Sequence, residues 1–237
     1  MLKKIDHNTM GKSDQGWLRS WFHFSFAEYY NPENINFGTL RVLNDDLVQP
    51  GSGFGMHPHQ DMEIITYVID GVLTHADNMG NQQVLHRGEI QYMSAGTGVI
   101  HSEYNHGTED LRLLQIWIFP DRSGHTPQYG DFRFPWQQRI NHWLLLVSGQ
   151  QGCAPVKIHQ DVYLYTAWID AGQSLVYDIA EGRQGYLVQI EGNSRINEAL
   201  LEERDALAIH QESIEITAVS PSHVLLFDLA DERKEQK

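Results

Sequence analysis

Four side chains stand out for what they could do together: His57 and His59 in Met56-His57-Pro58-His59, and His101 and Glu103 in His101-Ser102-Glu103. Residues two apart in an extended strand project to the same face, so each pair offers two donor groups to one side. Three imidazoles and one carboxylate, with no thiolate, suit one divalent transition metal: iron, nickel, copper, cobalt, manganese or zinc rather than calcium. A lone His-x-His in a β-protein is commonly a packing or surface feature. A second pair at the same spacing, after glycines at 96 and 98 that allow a tight backbone turn, makes a shared mononuclear site the expectation.

Such a site needs strands to carry it, and the chain supplies them. Short runs such as Glu63 to Ile69 and Leu113 to Ile118 are rich in β-branched and aromatic residues with apolar alternation. Turn signals separate them at Asn44-Asp45-Asp46, Pro50-Gly51-Ser52-Gly53, Asp70-Gly71, Met79-Gly80-Asn81, Arg87-Gly88-Glu89 and Gly96-Thr97-Gly98. Many short, evenly spaced strands predict an all-β, closed or sandwiched antiparallel fold. After a segment read as a crossover or linker, Pro120 to Pro135, part of which Phe132, Phe134 and Trp136 imply packs down, a second series follows: Val162 to Ile169, Ser174 to Ile179, Gly185 to Ile190, Ala206 to Ile209, Ile214 to Ala218 and Val224 to Leu229. Glu191-Gly192-Asn193 repeats the place of Asp70-Gly71, and Arg204-Asp205-Ala206 that of Arg87-Gly88-Glu89, which predicts a diverged internal duplication. The expected division is a metal-binding β-barrel over 1–135, a metal-free barrel over 136–231 and a solvated tail over 232–237.

With 237 residues, 41% of them hydrophobic, the chain can fill two cores. A formal charge of −14, spread along the sequence, argues against a surface that holds phosphate backbones, so direct nucleic-acid binding is not expected. No apolar run reaches the roughly 20 residues that cross a bilayer, and Met1 to Met10 lacks the apolar stretch of a signal peptide, so the expectation is no membrane and a cytoplasmic location. The single cysteine, Cys153, reads as a buried small hydrophobe. The other histidines, at 7, 23, 75, 86, 106, 125, 142, 159, 210 and 223, have no partner at ligand spacing and read as surface or packing residues. The aromatic stretch Trp21-Phe22-His23-Phe24-Ser25-Phe26 reads as packing, with one or two rings able to line the mouth of a pocket.

Gly51 to Gly71 resembles the first cupin motif and Gly88 to Asn105 the second, except for an extra residue before Gly71 and a longer turn, Met93 to Gly98, in place of a Pro-containing one. Those departures resemble the pirin family, with His-Pro-His followed by Glu (residues 55–63) and Ala-Gly-x-Gly-x-x-His-x-Glu (residues 94–103). The resemblance extends through Trp17 to Tyr30 and Gln115 to Ile118 and covers nearly the whole chain. It implies a bicupin with His57, His59, His101 and Glu103 as ligands and Glu63 outside the ligand set, whereas the general cupin pattern uses the Glu63 position. It further implies a flavonol 2,3-dioxygenase that uses O₂ and releases carbon monoxide, with Fe(II) as first guess and Glu103 as both ligand and base. Quercetin is the test substrate, and the substrate class is a small enolic aromatic. The alternative that the family implies is a metal- or redox-sensing regulator acting through a protein partner. A monomer is expected, because a two-domain chain can cover its own strand edges.

Overall fold

The computed structural model describes residues 1–231, and the expected tail, 232–237, lies outside the described residues. Twenty-two strands run in chain order: β1 Leu2–Ile5, β2 Gly11–Asp14, β3 Leu18–Phe22, β4 Leu40–Val48, β5 Gly53–His59, β6 Glu63–Asp70, β7 Val72–Asp77, β8 Gln82–His86, β9 Ile90–Ser94, β10 Val99–Tyr104 and β11 Leu111–Ile118. They continue as β12 Gln128–Phe132, β13 Leu144–Gly149, β14 Val156–Ile158, β15 Val162–Ile169, β16 Ser174–Asp178, β17 Arg183–Glu191, β18 Ser194–Ile196, β19 Ala199–Leu201, β20 Ala206–His210, β21 Ser213–Ala218 and β22 Ser222–Ala230. Among the described residues helix is confined to two short 3₁₀ turns, His7–Thr9 and Trp136–Arg139, and no helix is long and apolar enough to cross a membrane.

The strands form two compact units, each with a seven-stranded and a four-stranded sheet. In the first unit the orders are β12-β9-β6-β11-β4-β3-β2 and β5-β10-β7-β8; in the second they are β1-β20-β17-β22-β15-β13-β14 and β16-β21-β18-β19. The central strands correspond, β9-β6-β11-β4 to β20-β17-β22-β15 and β5-β10-β7-β8 to β16-β21-β18-β19, which is the internal duplication read from the turns. The edges of the large sheets differ, one carrying β12 and the other β1 from the start of the chain. The amides at Val68 and Gln189 donate to the carbonyls of Glu89 and Asp205, and their carbonyls accept from Gly88 and Arg204. The repeat is therefore offset by one residue from the sequence alignment, with Gly88 matching Arg204. Gly71 and Gly192 close equivalent turns at φ of 82° and 73°, and a Cβ there would meet the Asp110 and Pro221 carbonyls at 2.7 and 2.1 Å. Only glycine fits both.

Each unit's two sheets share a core. In the first, Leu73 and Leu85 of the small sheet pack with Val48, Val68 and Leu113 of the large one. In the second, Ile196, Ile214 and Ile216 pack with Leu187, Ile209 and Leu226. Each such buried side chain contributes on the order of 1.5–3 kcal/mol.

Three expectations are corrected. Met1–Met10 belongs to the second unit, because β1 pairs with β20, and Ile158–Gln160 belongs to the first, so the units are not the contiguous 1–135 and 136–231. Cys153 is exposed, in the connection between β13 and β14. Asn44-Asp45-Asp46 is no turn but the buried centre of β4, where tertiary partners override local propensity. Asp45 is held by the Arg112 guanidinium, whose Nε and Nη2 donate to its two oxygens at 2.9 and 2.6 Å. In the Pro120–Pro135 segment the part that packs down is β12, which pairs with β9.

Candidate metal centre

β10 pairs with β5 on one side and β7 on the other, and its register places His101 opposite His57 and Val99 opposite His59. Alternation therefore turns all three imidazoles to one face. Their ring centroids lie 4.5 Å apart for His57 and His101, 4.8 Å for His57 and His59, and 5.0 Å for His59 and His101. One ligand nitrogen from each lies within 4.8 Å of the others.

His101 is 2% exposed, and among the described residues neither of its ring nitrogens has a hydrogen-bond partner. Leaving such atoms unsatisfied costs about 1–3 kcal/mol each, so the donor set fits an ion that would take a lone pair. At His57, the Gly55 carbonyl lies 2.7 Å from Nδ1. With the proton assigned to Nδ1, Nε2 keeps its lone pair free. Burial, reinforced by the neighbouring imidazoles, lowers the pKa of His101 to about 3 and that of His59 to about 4. Both rings are neutral near pH 7, the state a metal needs.

Glu103 stands two residues beyond His101, past a register shift in the β5 pairing, and does not join the set of ligand atoms within 4.8 Å. Instead its buried carboxylate accepts from Gln91 Nε2 at 2.6 Å, Thr66 Oγ1 at 2.8 Å and Gln115 Nε2 at 2.7 Å. These donors stand in one cross-strand row of the large sheet, where Gln115 pairs with Thr66 and Thr66 with Gln91. The row continues to Asn44 on β4. A carboxylate has about four lone-pair sites, so one is left over. Glu63 is engaged elsewhere, accepting from Ser94 Oγ at 2.7 Å and the His159 amide at 3.2 Å.

Thr66, Gln91 and Gln115 were missed in the sequence. Their signal was a polar residue at an inward position of an otherwise apolar strand, as in Leu113-Leu114-Gln115-Ile116. His75, which spacing left without a role, packs beside His101 at 5.4 Å and stacks on Tyr129 at 4.4 Å. A second cluster, Asp6, His7 and Asp205, lies in the other unit. There Lys4 Nζ sits 2.7 Å and His7 Nδ1 2.8 Å from Asp205, which also accepts from the His7 and Glu202 amides, so four protein contacts already fill that carboxylate.

His57, His59 and Glu103 open onto a cavity of about 230 Å³ walled by Phe22, Phe26 and Trp117. Two rings of the aromatic stretch therefore line it. Asn44 and Asp46 complete the wall, and among the described residues no lysine or arginine lines it. Burial raises the pKa of Asp46 to about 7, helped by the charges of Asp45 and Glu103 and opposed by a hydrogen bond from Ser20. In the second unit the strands equivalent to β5 and β10 carry Leu175, Tyr177, Ile214 and Ile216, which pack in the core.

Two duplicated β-sandwich units, one with a triad of imidazoles at an aromatic-walled cavity, define a bicupin with a candidate metal centre in its first domain. Family models agree: residues 4–118 match "Pirin" and residues 145–229 match "Quercetinase C-terminal cupin domain". The chain is 46% identical over 224 residues to a quercetin 2,3-dioxygenase of Escherichia coli, covering 94% of this chain and 96% of that one. It is 42% identical to a pirin-like protein of Caulobacter vibrioides, over 97% and 100% of the two chains. The crystal structure of the bacterial pirin YhhW from Escherichia coli in complex with nickel(II) superposes with a TM-score of 0.91 at 44% identity, over 97% and 99%. The chain belongs to the pirin family.

Proposed function

We propose that the chain is a metal-dependent dioxygenase that cleaves flavonols such as quercetin at the 2,3 bond with O₂ and releases carbon monoxide. The observation that carries this reading is the triad of imidazoles, two of them held neutral by burial, beside a carboxylate in an aromatic-walled cavity. His57, His59 and His101 would hold the ion, and Glu103, beside them but outside that set of ligand atoms, would keep its remaining lone pair for a proton. Fe(II) is our first choice, with nickel, copper, manganese, cobalt and zinc open to the same donors. When bound, the ion supplies Lewis acidity and redox chemistry.

The chain's own residues do the rest. Phe22, Phe26 and Trp117 hold a planar ring system and keep water from it. Glu103 takes the proton of the flavonol 3-hydroxyl, which raises electron density on the ring to be opened. Gln91, Thr66 and Gln115 fix that carboxylate in place, so little reorganisation accompanies the proton transfer.

The test is metal analysis of the purified protein, then incubation with quercetin with and without O₂, following flavonol absorbance and carbon monoxide. About one metal per chain with O₂-dependent loss of quercetin and release of carbon monoxide supports the reading. Metal without turnover would favour the regulatory alternative, and failure to bind any metal would sink both.

A further inference from the structure

The cavity wall opposite the small sheet contains two polar groups that the proposed chemistry does not use. Asn44 and Asp46 are two apart on β4 and both line the cavity, although they are 2% and 3% exposed. Among the described residues, Asn44 Oδ1 and Asp46 Oδ1 have no hydrogen-bond partner. Two buried acceptors without donors cost about 1–3 kcal/mol each unless something else enters to satisfy them. A polar pair in the middle of a strand, placed where sequence patterning expects a turn, is the kind of local conflict that collects at functional sites.

The chemistry of the wall restricts what could satisfy them. An anionic group would meet Glu103 and Asp46 with no lysine or arginine on the wall to offset the repulsion. A cationic ligand would be drawn by the carboxylates but repelled by a metal on the imidazoles. A neutral hydroxyl both donates and accepts, so it serves Asn44 in either amide orientation and Asp46 in either protonation state. Groups two apart on a strand stand about 7 Å apart. Two hydroxyls on one aromatic ring, each at a hydrogen-bond distance of about 2.8 Å, bridge that gap.

We propose that Asn44 and Asp46 form a hydroxyl-recognition subsite that selects planar aromatic substrates carrying at least two phenolic hydroxyls remote from the group that meets the imidazoles. This deepens the dioxygenase reading and rests on it for the orientation of the substrate. The subsite sets binding preference, while the imidazoles and Glu103 carry the reaction.

The experiment compares quercetin with 3-hydroxyflavone, the same skeleton keeping only the 3-hydroxyl. Calorimetric titration of the as-purified protein under nitrogen reads binding without turnover. Wild type should bind quercetin roughly tenfold or more tightly over 3-hydroxyflavone, as expected for two added hydrogen bonds. Asn44→Leu and Asp46→Leu should each weaken quercetin by roughly 5- to 10-fold while leaving 3-hydroxyflavone within about twofold. Should either fail to fold by circular dichroism, Asn44→Val and Asp46→Val, which suit a strand and carry no polar group, read the same ratio.

Equal weakening of both flavonols, no change in either, or no quercetin binding at all would overturn the subsite. Turnover without discrimination overturns the subsite alone. Discrimination without turnover supports the subsite and overturns only the dioxygenase reading.

Discussion

His57 and His101 face each other in register across β5 and β10, with ring centroids 4.5 Å apart. The pairing is the hinge of the site, because β10 is bonded on both edges and carries the most buried imidazole of the three. His101→Ala should therefore reduce metal content from about one per chain to near zero by elemental analysis, since fewer ligands remain to offset desolvation of the cation. Added metal should raise the melting temperature of wild type but not of this variant. Full metal content in His101→Ala would exclude it as a primary ligand.

Glu103→Gln should keep metal and lose turnover by roughly 10²-fold or more, the usual contribution of a general base. A glutamine also brings an NH₂ group towards Gln91, Thr66 and Gln115, which are all donors to the carboxylate. One unmatched donor should cost about 1–3 kcal/mol, seen as a lower urea midpoint. Normal turnover in this variant would remove Glu103 from the base role.

Arg112→Met should destabilise the first unit by about 3–5 kcal/mol, because it leaves the buried Asp45 carboxylate without its guanidinium fork. Denaturant unfolding measures it. The double variant Asp45→Leu with Arg112→Met should recover much of that loss, since the uncompensated charge goes with the pair.

Stability should fall as pH rises from about 4 to about 7 through Asp46. Its carboxyl titrates near 3.8 when unfolded and near 7 in the fold, so over that window the folded state holds a proton that the unfolded state has released. The contribution is fully present below the lower value and is lost as pH passes the upper one, with a slope near 1.4 kcal/mol per pH unit at most. The difference in unfolding free energy between wild type and Asp46→Asn, measured from pH 4 to 8, isolates this group from the other carboxylates. A flat difference across that range would refute the buried, protonated Asp46.

The strand periods, the duplicated series and the i, i+2 pairs were legible because they are local: side-chain alternation needs only a few residues of backbone to express itself. His57, His59 and His101 could be picked out for the same reason, their type and spacing sufficing. Asn44-Asp45-Asp46 misled for the converse reason. Three turn-prone residues in a row lie in a strand although only tertiary contacts meet them there: Arg112 holds Asp45 and Ser20 donates to Asp46, partners that a sequence window does not contain.

By itself the sequence determined an all-β, internally repeated chain with three imidazoles and a carboxylate on alternating positions. The tertiary structure alone decided that Met1–Met10 joins the second unit and that Glu63 turns to Ser94 and His159. It also decided that Glu103 is gripped by a row of donors from three strands of the facing sheet. Those facts depend on register between strands as far apart as Leu2 and Ile209, and register is fixed by the packing of whole sheets rather than by any short run of residues.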